Sequence, residues 1–508
     1  MKVNRVQVLK FYFHHLLQYN DGNTENSKDE IRMEWKPNRA DKKPIYKQIA
    51  EYIEQEISLG TFPPDSVLPS ERVLSRELQV NRSTVVAAYE LLQSFGIVER
   101  KKGSGTRVSR SIWGISHKRL LNWGRYVEDG SFLPNLPLVQ QIRMKTQKNN
   151  LINLASGELS SDLFPLEQFQ TMFLKRPFMG HLGYDHPQGN EILRKTIALH
   201  VKEYKDIDTN ASSILITSGA QQALHLIVQC LLKPGDAVAI EDPSYCFSLP
   251  IFQSAGLRTF RLPVDQYGIN PDDLVTLHKK HRIRMVFLNP DHQNPTGTIL
   301  HVKRRKQIME FSTEFGVPII EDDPYSLTSF NGEVQPTLKS MDYNGNVLYI
   351  SSLSKIVASG LRIGWIIGPN AVIHRLADAK QQVDFGHSVF PQWIANQFLG
   401  SKDFNTHICM LREQLKQKRD KIVSSLNELL GDQVEFFIPE GGIHLWCKLN
   451  DSIDEYRLLE ECMKEGVVFV PGSILGSKKG YVRFTFGRAE TNVIQEGIVR
   501  FRNALKRM

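Results

Sequence analysis

Lys355 ends the run Ser351-Ser352-Leu353-Ser354-Lys355, directly after the strand-like Val347-Leu348-Tyr349-Ile350. An amine at the end of a strand can attack an aldehyde and hold it covalently. Ser352, Ser354 and Arg362 supply donors for a phosphate on the same side, and Gly360 is expected to let the backbone come close. Asp322, in Glu321-Asp322-Asp323, follows the apolar run Val317-Pro318-Ile319-Ile320. It therefore falls at a strand's C-terminal end, where α/β sheets bind ligands, and a carboxylate there can keep a ring nitrogen protonated. Ser218-Gly219-Ala220-Gln221-Gln222 bridges a strand and a helix whose first N–H groups suit a phosphate, so Gly219 and Ala220 are candidates for it. Asn294, in Asn294-Pro295-Thr296-Gly297, and Tyr325 offer hydrogen bonds to a phenolic oxygen, while Tyr245 offers a ring for stacking. Arg483 sits in the apolar strand Tyr481-Val482-Arg483-Phe484, where an unpaired charge is costly. A small-molecule carboxylate is its natural partner, and an internal salt bridge is the alternative. Singly, each of these is ordinary turn or surface chemistry. Together they meet the demands of pyridoxal 5'-phosphate: a lysine, an acid, phosphate donors and a ring partner.

A second group of residues suits a polyanion. Asn81-Arg82-Ser83-Thr84 opens a helix that carries Val85, Tyr89 and Leu92 inward and stops at Gly96. Arginine can pair bidentately with guanine, and hydroxyls reach phosphates or bases. Ser70 caps a preceding helix with Glu71 in its first turn, and Arg72 is placed to meet a phosphate. Ile97-Val98-Glu99 and Thr106-Arg107-Val108 read as two strands around the basic tip Lys101-Lys102-Gly103-Ser104-Gly105. Ile45, Ile49, Ile53 and Ile57 give an earlier helix one apolar stripe, ended by Gly60. Three short helices and a basic hairpin make a winged helix-turn-helix, whose second motif helix enters the major groove.

These elements need more than one core. At 508 residues the chain is expected to hold two or three domains. Residues 1–43 read as an N-terminal extension without fixed structure. Residues 44–110 form the winged helix-turn-helix, 111–150 a linker marked by Pro134 and Pro137, and 151–508 the cofactor-binding body. Met33-Glu34-Trp35-Lys36 leads straight into the head, so Met33 is read as an alternative start. In the body, strand-like runs such as Ile214–Thr217 and Met285–Leu288 alternate with helical stretches, which indicates an α/β sheet covered on both faces. The apolar share of 41% is ordinary, and no apolar run approaches the roughly 20 residues that cross a bilayer. The five cysteines are scattered and read as reduced thiols of a cytoplasmic protein, while the fifteen histidines show no metal-ligand spacing. No glycine fingerprint of a dinucleotide oxidoreductase follows a strand. A net charge of +8 permits nucleic-acid binding.

Leu68-Pro69-Ser70-Glu71-Arg72, Asn81–Val85, Ala88-Tyr89 and Gly103–Thr106 resemble the GntR-type winged helix over residues 44–109. The resemblance implies operator DNA contacts from Ser70, Arg72, Asn81, Arg82, Ser83, Thr84, Lys101, Lys102 and Gly103. Asn81 departs from the serine or threonine commoner there. Ser352–Arg362, Asn294–Gly297 and Asp322–Tyr325 resemble fold-type I aminotransferases over roughly residues 150–505. That likeness implies a large domain with a mixed sheet and a smaller C-terminal α+β domain. It assigns Lys355 as the covalent lysine, Asp322 to the ring nitrogen, Asn294 and Tyr325 to the hydroxyl, and Tyr245 to stacking. Gly219, Ala220, Ser352, Ser354 and Arg362 take the phosphate, and Arg483 takes an α-carboxylate. Tyr184, in Gly183-Tyr184-Asp185, takes the phosphate of a neighbouring subunit. The order head, linker, body is similar to the MocR/GabR-type regulators. That family implies a cytoplasmic homodimer that responds to its cofactor or to a small amino compound. A working aminotransferase with a fused DNA-binding head is the second reading, because no catalytic residue is missing.

Overall fold

The computed structural model describes residues 35–58, 61–101, 105–109, 130–146, 151–175, 178, 180–449, 453–476 and 479–508. The chain divides into two compact units between Gly130 and Ser131. Most of the N-terminal extension, including Met33, and the wing residues Lys102 and Gly103 lie outside the described residues.

The first unit holds α1 (Ile45–Ser58), α2 (Glu71–Glu77), α3 (Arg82–Ser94), β1 (Val98–Lys101) and β2 (Gly105–Val108). Ile49 and Ile53 are the fully buried members of the α1 stripe and meet Leu74, Val85, Tyr89 and Leu92 in one core. Ser70 starts α2 as expected, its Oγ accepting from Val73 N–H at 3.3 Å. The Tyr89 hydroxyl donates to the Pro69 carbonyl at 2.6 Å and so ties α3 to the entrance of α2. Gly96, at φ +69°, takes the left-handed turn that releases the chain into β1. β1 and β2 pair antiparallel, Val98 opposite Val108, which moves the first strand one residue past the expected start.

The second unit opens with a correction. Residues 137–146, read as linker because of Pro134 and Pro137, form α4 (Pro137–Thr146) and bury Ile142. Proline at a first helical position loses no internal hydrogen bond, so Pro137 starts this helix and does not break it.

After β3 (Ile152–Asn153) come β4 (Ile214–Thr217), α5 (Gly219–Leu231), β5 (Ala237–Asp242), β6 (Arg258–Asp265) and β7 (Gly268–Ile269). Then follow α6 (Pro271–His281), β8 (Met285–Leu288), α7 (Val302–Phe315), β9 (Ile319–Asp322), β10 (Val347–Ser352), β11 (Gly364–Ile367) and α8 (Asn370–Asp384). The expected strand at 317–320 thus begins two residues later, and Asp322 is its last residue. These strands form one mixed sheet in the order β4-β11-β10-β9-β8-β5-β6-β7. β11 runs antiparallel to both neighbours, whereas β10, β9, β8, β5 and β6 are parallel. Alternate residues feed opposite faces: Val238 and Ile240 pack with Ile227 of α5 and Leu376 of α8, while Ala237 and Ala239 pack with Leu274 of α6 and Ile308 of α7.

Farther along the chain come α9 (Lys402–Leu429), β12 (Glu435–Phe436), β13 (His444–Lys448), α10 (Glu455–Glu465), β14 (Val467–Val468), β15 (Val470–Pro471), β16 (Tyr481–Thr485) and α11 (Thr491–Leu505). β12, β13, β16 and β15 make a second, antiparallel sheet, and β14 pairs with β3 in parallel. A large mixed sheet with a smaller C-terminal α+β portion is the architecture expected from the motifs. Among the described residues, no helix is long and apolar enough to cross a membrane.

Candidate cofactor cavity and DNA-reading surface

The C-terminal ends of the parallel strands surround a cavity of about 820 Å³. Asp322 arrives at the end of β9, Ser352 at the end of β10 with Ser354 and Lys355 just beyond it, and Gly219 and Ala220 at the turn from β4 into α5. Tyr245, Asn294, Tyr325 and Arg362 complete the set that the cavity brings together. Arg483 stands behind this wall on β16: its Nη1 donates to Asn294 Oδ1 at 2.9 Å and its Nη2 to the Ala155 carbonyl at 2.6 Å. Tyr184 is elsewhere, 84% exposed, and lines a separate cavity of about 440 Å³ with His181 and Trp393.

Burial sets the chemistry of the wall. It pushes the Asp322 carboxyl up to about 7, against the hydrogen bond from Tyr245, whose hydroxyl donates to Oδ2 at 2.5 Å. Asp322 Oδ1 is buried with no hydrogen-bond partner. An orphaned acceptor of this kind is costly unless a donor arrives, and a protonated ring nitrogen is such a donor. Burial draws the Lys355 amine down to about 8, with the Glu158 carboxylate pulling the other way, and the amine donates to the Gly157 carbonyl. Asp323, the adjacent acid, turns away from the cavity. It lies 3.3 Å from Lys205 Nζ and accepts from the Tyr349 hydroxyl at 2.8 Å. The two acids therefore divide between cavity and support.

The phosphate end is shaped by close packing. Gly219 has φ +75°, and a Cβ there would meet Arg362 Nη2 at 2.8 Å. Arg362 Nη2 donates in turn to the Ser218 carbonyl at 2.7 Å. Close backbone approach belongs to Gly364, where a Cβ would sit 2.8 Å from Gly219 Cα. Gly360, expected to play that part, has open space around it. Free N–H groups at the start of α5, the Arg362 guanidinium and the hydroxyls of Ser352 and Ser354 fit a phosphate, so the residues present suit pyridoxal phosphate at both ends.

Several residues of this region escaped the sequence reading. Glu158, Arg143, Arg488 and Ser359 line the cavity without a motif to announce them. His444 is buried beside Tyr325, its Nε2 3.1 Å from the tyrosine oxygen and its Nδ1 3.1 Å from Thr485 Oγ1. Burial, then the neighbouring Arg483 and Lys355 charges, hold this imidazole neutral. Only the pairing of β13 with β16 brings it there, and local sequence carries no sign of that register.

In the first unit, Asn81, Arg82 and Ser83 are exposed at the start of α3, Thr84 is half-buried, and Arg72 is exposed on α2. Arg82 is held in place: Nε and Nη2 donate to Glu71 Oε2 at 3.1 and 2.9 Å. Arg100, which sequence reading passed over, donates to the other oxygen of Glu71 at 2.7 Å. Ser70 spends its Oγ lone pair on the α2 cap, and Lys101 lies at the end of β1.

Residues 149–501 match the family model described as aminotransferase class I and II. The chain belongs to the aminotransferase class I and II family. Residues 45–108 of this aminotransferase-family chain also match the model described as bacterial regulatory proteins, gntR family. A Bacillus subtilis protein described as an uncharacterized HTH-type transcriptional regulator, YisV, is 38% identical over 92% of this chain and 96% of its own length. The HTH-type transcriptional regulator NorG of Staphylococcus aureus is 30% identical over 87% of this chain and 100% of its own. Among solved structures, a Pyrococcus horikoshii kynurenine aminotransferase superposes with a TM-score of 0.70 at 29% identity, covering 77% of this chain and 98% of that one. The likeness to regulators runs through head and body together, as the MocR-type arrangement requires.

Proposed function

We propose that this chain is a pyridoxal-phosphate-dependent transcription regulator of the MocR type, which binds operator DNA through its winged helix and senses its cofactor or an amino carboxylate in the body. The observation that carries the reading is Asp322 Oδ1, a buried acceptor without a partner in the wall of the cavity that also holds Lys355. It stands in a chain whose other unit carries a GntR-type head.

When bound, pyridoxal phosphate supplies an aldehyde for amines and an electron-withdrawing ring. The chain's own residues prepare for it. Lys355 is shifted by burial toward its neutral, nucleophilic form. Asp322 Oδ1 would accept a hydrogen bond from the ring nitrogen and keep its proton in place, the Tyr245 hydroxyl steadies Oδ2, and Tyr245 would offer its ring to the cofactor face. Arg483, whose Nε has no partner, is held beside Asn294 and receives an α-carboxylate. Asn294 and Tyr325 take the cofactor's hydroxyl. In the head, Arg82, Thr84 and Arg72 meet the operator, with Ser70, Asn81, Ser83 and the wing residues Lys101, Lys102 and Gly103 beside them.

A homodimer in the cytoplasm completes the proposal, with Tyr184 reaching the partner subunit's phosphate. Tyr184, Leu182 and Phe385 are 84%, 70% and 60% exposed on this chain, an apolar surface that suits a second copy. The second reading, a working aminotransferase, is favoured by the intact Lys355 and Asp322.

Purified protein should absorb visible light through its bound cofactor and lose that band on Lys355→Ala. DNA footprints with and without added amino acids should differ. A Lys355→Ala variant that retains the band and a borohydride-reducible bond would overturn the cofactor assignment. Steady turnover of an amino donor with a keto acid, without any change in the footprint, would move the reading to the enzyme.

A further inference from the structure

Under the proposed function, the charges that face the cofactor and the amino carboxylate are accounted for: Lys355, Asp322, Arg362 and Arg483. Three more charged residues line the cavity, Glu158, Arg143 and Arg488. Glu158 and Arg488 answer each other, with Oε1 3.1 Å from the Arg488 Nε, and Glu158 Oε2 also accepts from Ser359 Oγ at 3.0 Å. Arg143 has no such answer. It is exposed on α4 and makes no side-chain hydrogen bond or ion pair among the described residues. Among the described residues, Arg143 is thus a positive charge on the lining matched neither by an internal anion nor by the roles given to the cofactor and the amino carboxylate. A cationic group facing a cavity and lacking an internal anion is complementary to an anion carried in by the ligand.

We propose that the effector carries a second acidic group beyond its amino carboxylate, and that Arg143 binds it; the ligand class is the dicarboxylic amino acids. The inference rests on the reading that an amino carboxylate enters this cavity. Arg143's place in the chain gives the contact a consequence. Immediately before α4, Leu133 N–H donates to Ser254 Oγ at 3.0 Å and the Phe132 ring lies 5.5 Å from His225 of α5. α4 and this tethered stretch form the body's end of the chain that leaves the head. A ligand gripped by Arg143 thus bears on the segment through which the body is joined to the DNA reader. A neutral ligand of the same shape lacks that grip, and a ligand shifts an equilibrium only by what it binds differently in the two states.

The test uses cofactor-loaded full-length protein and calorimetric titration with L-glutamate, L-aspartate and L-glutamine. Glutamate should bind at least tenfold tighter than glutamine, which has the same shape without the charge. In Arg143→Gln, glutamate should fall to the glutamine level with the visible cofactor band retained, and Arg143→Lys should recover part of the preference. Equal affinity for glutamate and glutamine in the wild type overturns the inference, whatever the variants do. A preference that survives in Arg143→Gln overturns it as well. If none of the three amino acids binds, the failure lies with the amino-carboxylate reading itself.

Discussion

Asp322 carries a carboxylate that water would keep ionised and that burial raises to about 7. In the unfolded chain the same group titrates near 3.9, roughly. The folded state holds this proton more tightly, so stability is greatest below the unfolded value and is lost as pH rises through about 7, for as long as no cation lies against Oδ1. Cofactor-free Asp322→Asn should therefore melt above the cofactor-free wild type at pH 8, with the gap narrowing toward pH 4, and should bind pyridoxal phosphate at least tenfold more weakly. Thermal scans at both pH values and a cofactor titration check this; equal melting temperatures at pH 8 would show that the carboxylate is not strained by burial. The position of Asp322 was legible, because a strand end precedes a ligand in an α/β sheet. The division of labour with Asp323 was not, since Lys205 and Tyr349 reach Asp323 only through the tertiary fold.

Helix α3 was placed by its apolar spacing and its stop glycine, and the structure keeps both. Its leading arginine is another matter. Arg82 and Arg100, one from the helix and one from β1, share the carboxylate of Glu71. The Arg82 pair is partly exposed, so it is weak and a guanine can displace it. Arg82→Ala should weaken operator binding by about 1–3 kcal/mol if it pairs with guanine. Glu71→Gln should act oppositely on the background: with the acid gone, both arginines attract any phosphate, so affinity for random DNA should rise more than affinity for the operator. Gel-shift titrations on the two DNAs decide it, and an unchanged ratio would remove Glu71 from the account of specificity. The helix α4 was hidden by Pro134 and Pro137, which composition marks as breakers; Pro134 lies before the helix, and Pro137 is its first residue, where helix geometry tolerates proline. The Arg483 partners were hidden for a different reason, because Asn294 and Ala155 are 189 and 328 residues away in the chain and meet β16 only in the fold.

The order of head, connecting chain and body was legible from the change in pattern along the sequence, since a helical stripe and a basic hairpin mark the head, strand-like runs alternating with helical stretches mark the body, and the stretch between lacks a clear period. What the sequence did not show is where the body's core begins. Buried apolar residues of the head run from Ile49 to Val108 and form a cluster of their own, whereas those of the body begin at Ile142. The head is also small, and small domains bury a smaller share of their surface and are correspondingly marginal. Calorimetry should resolve two unfolding transitions, the head melting first, with pyridoxal phosphate raising only the upper one. A single transition that moves as a whole on adding cofactor would show the two cores to be one cooperative unit. Separate cores would make warmth a signal in its own right: above the head's own melting temperature the operator would be released while the body still held its cofactor, so the gene under control would respond to temperature with no effector present at all.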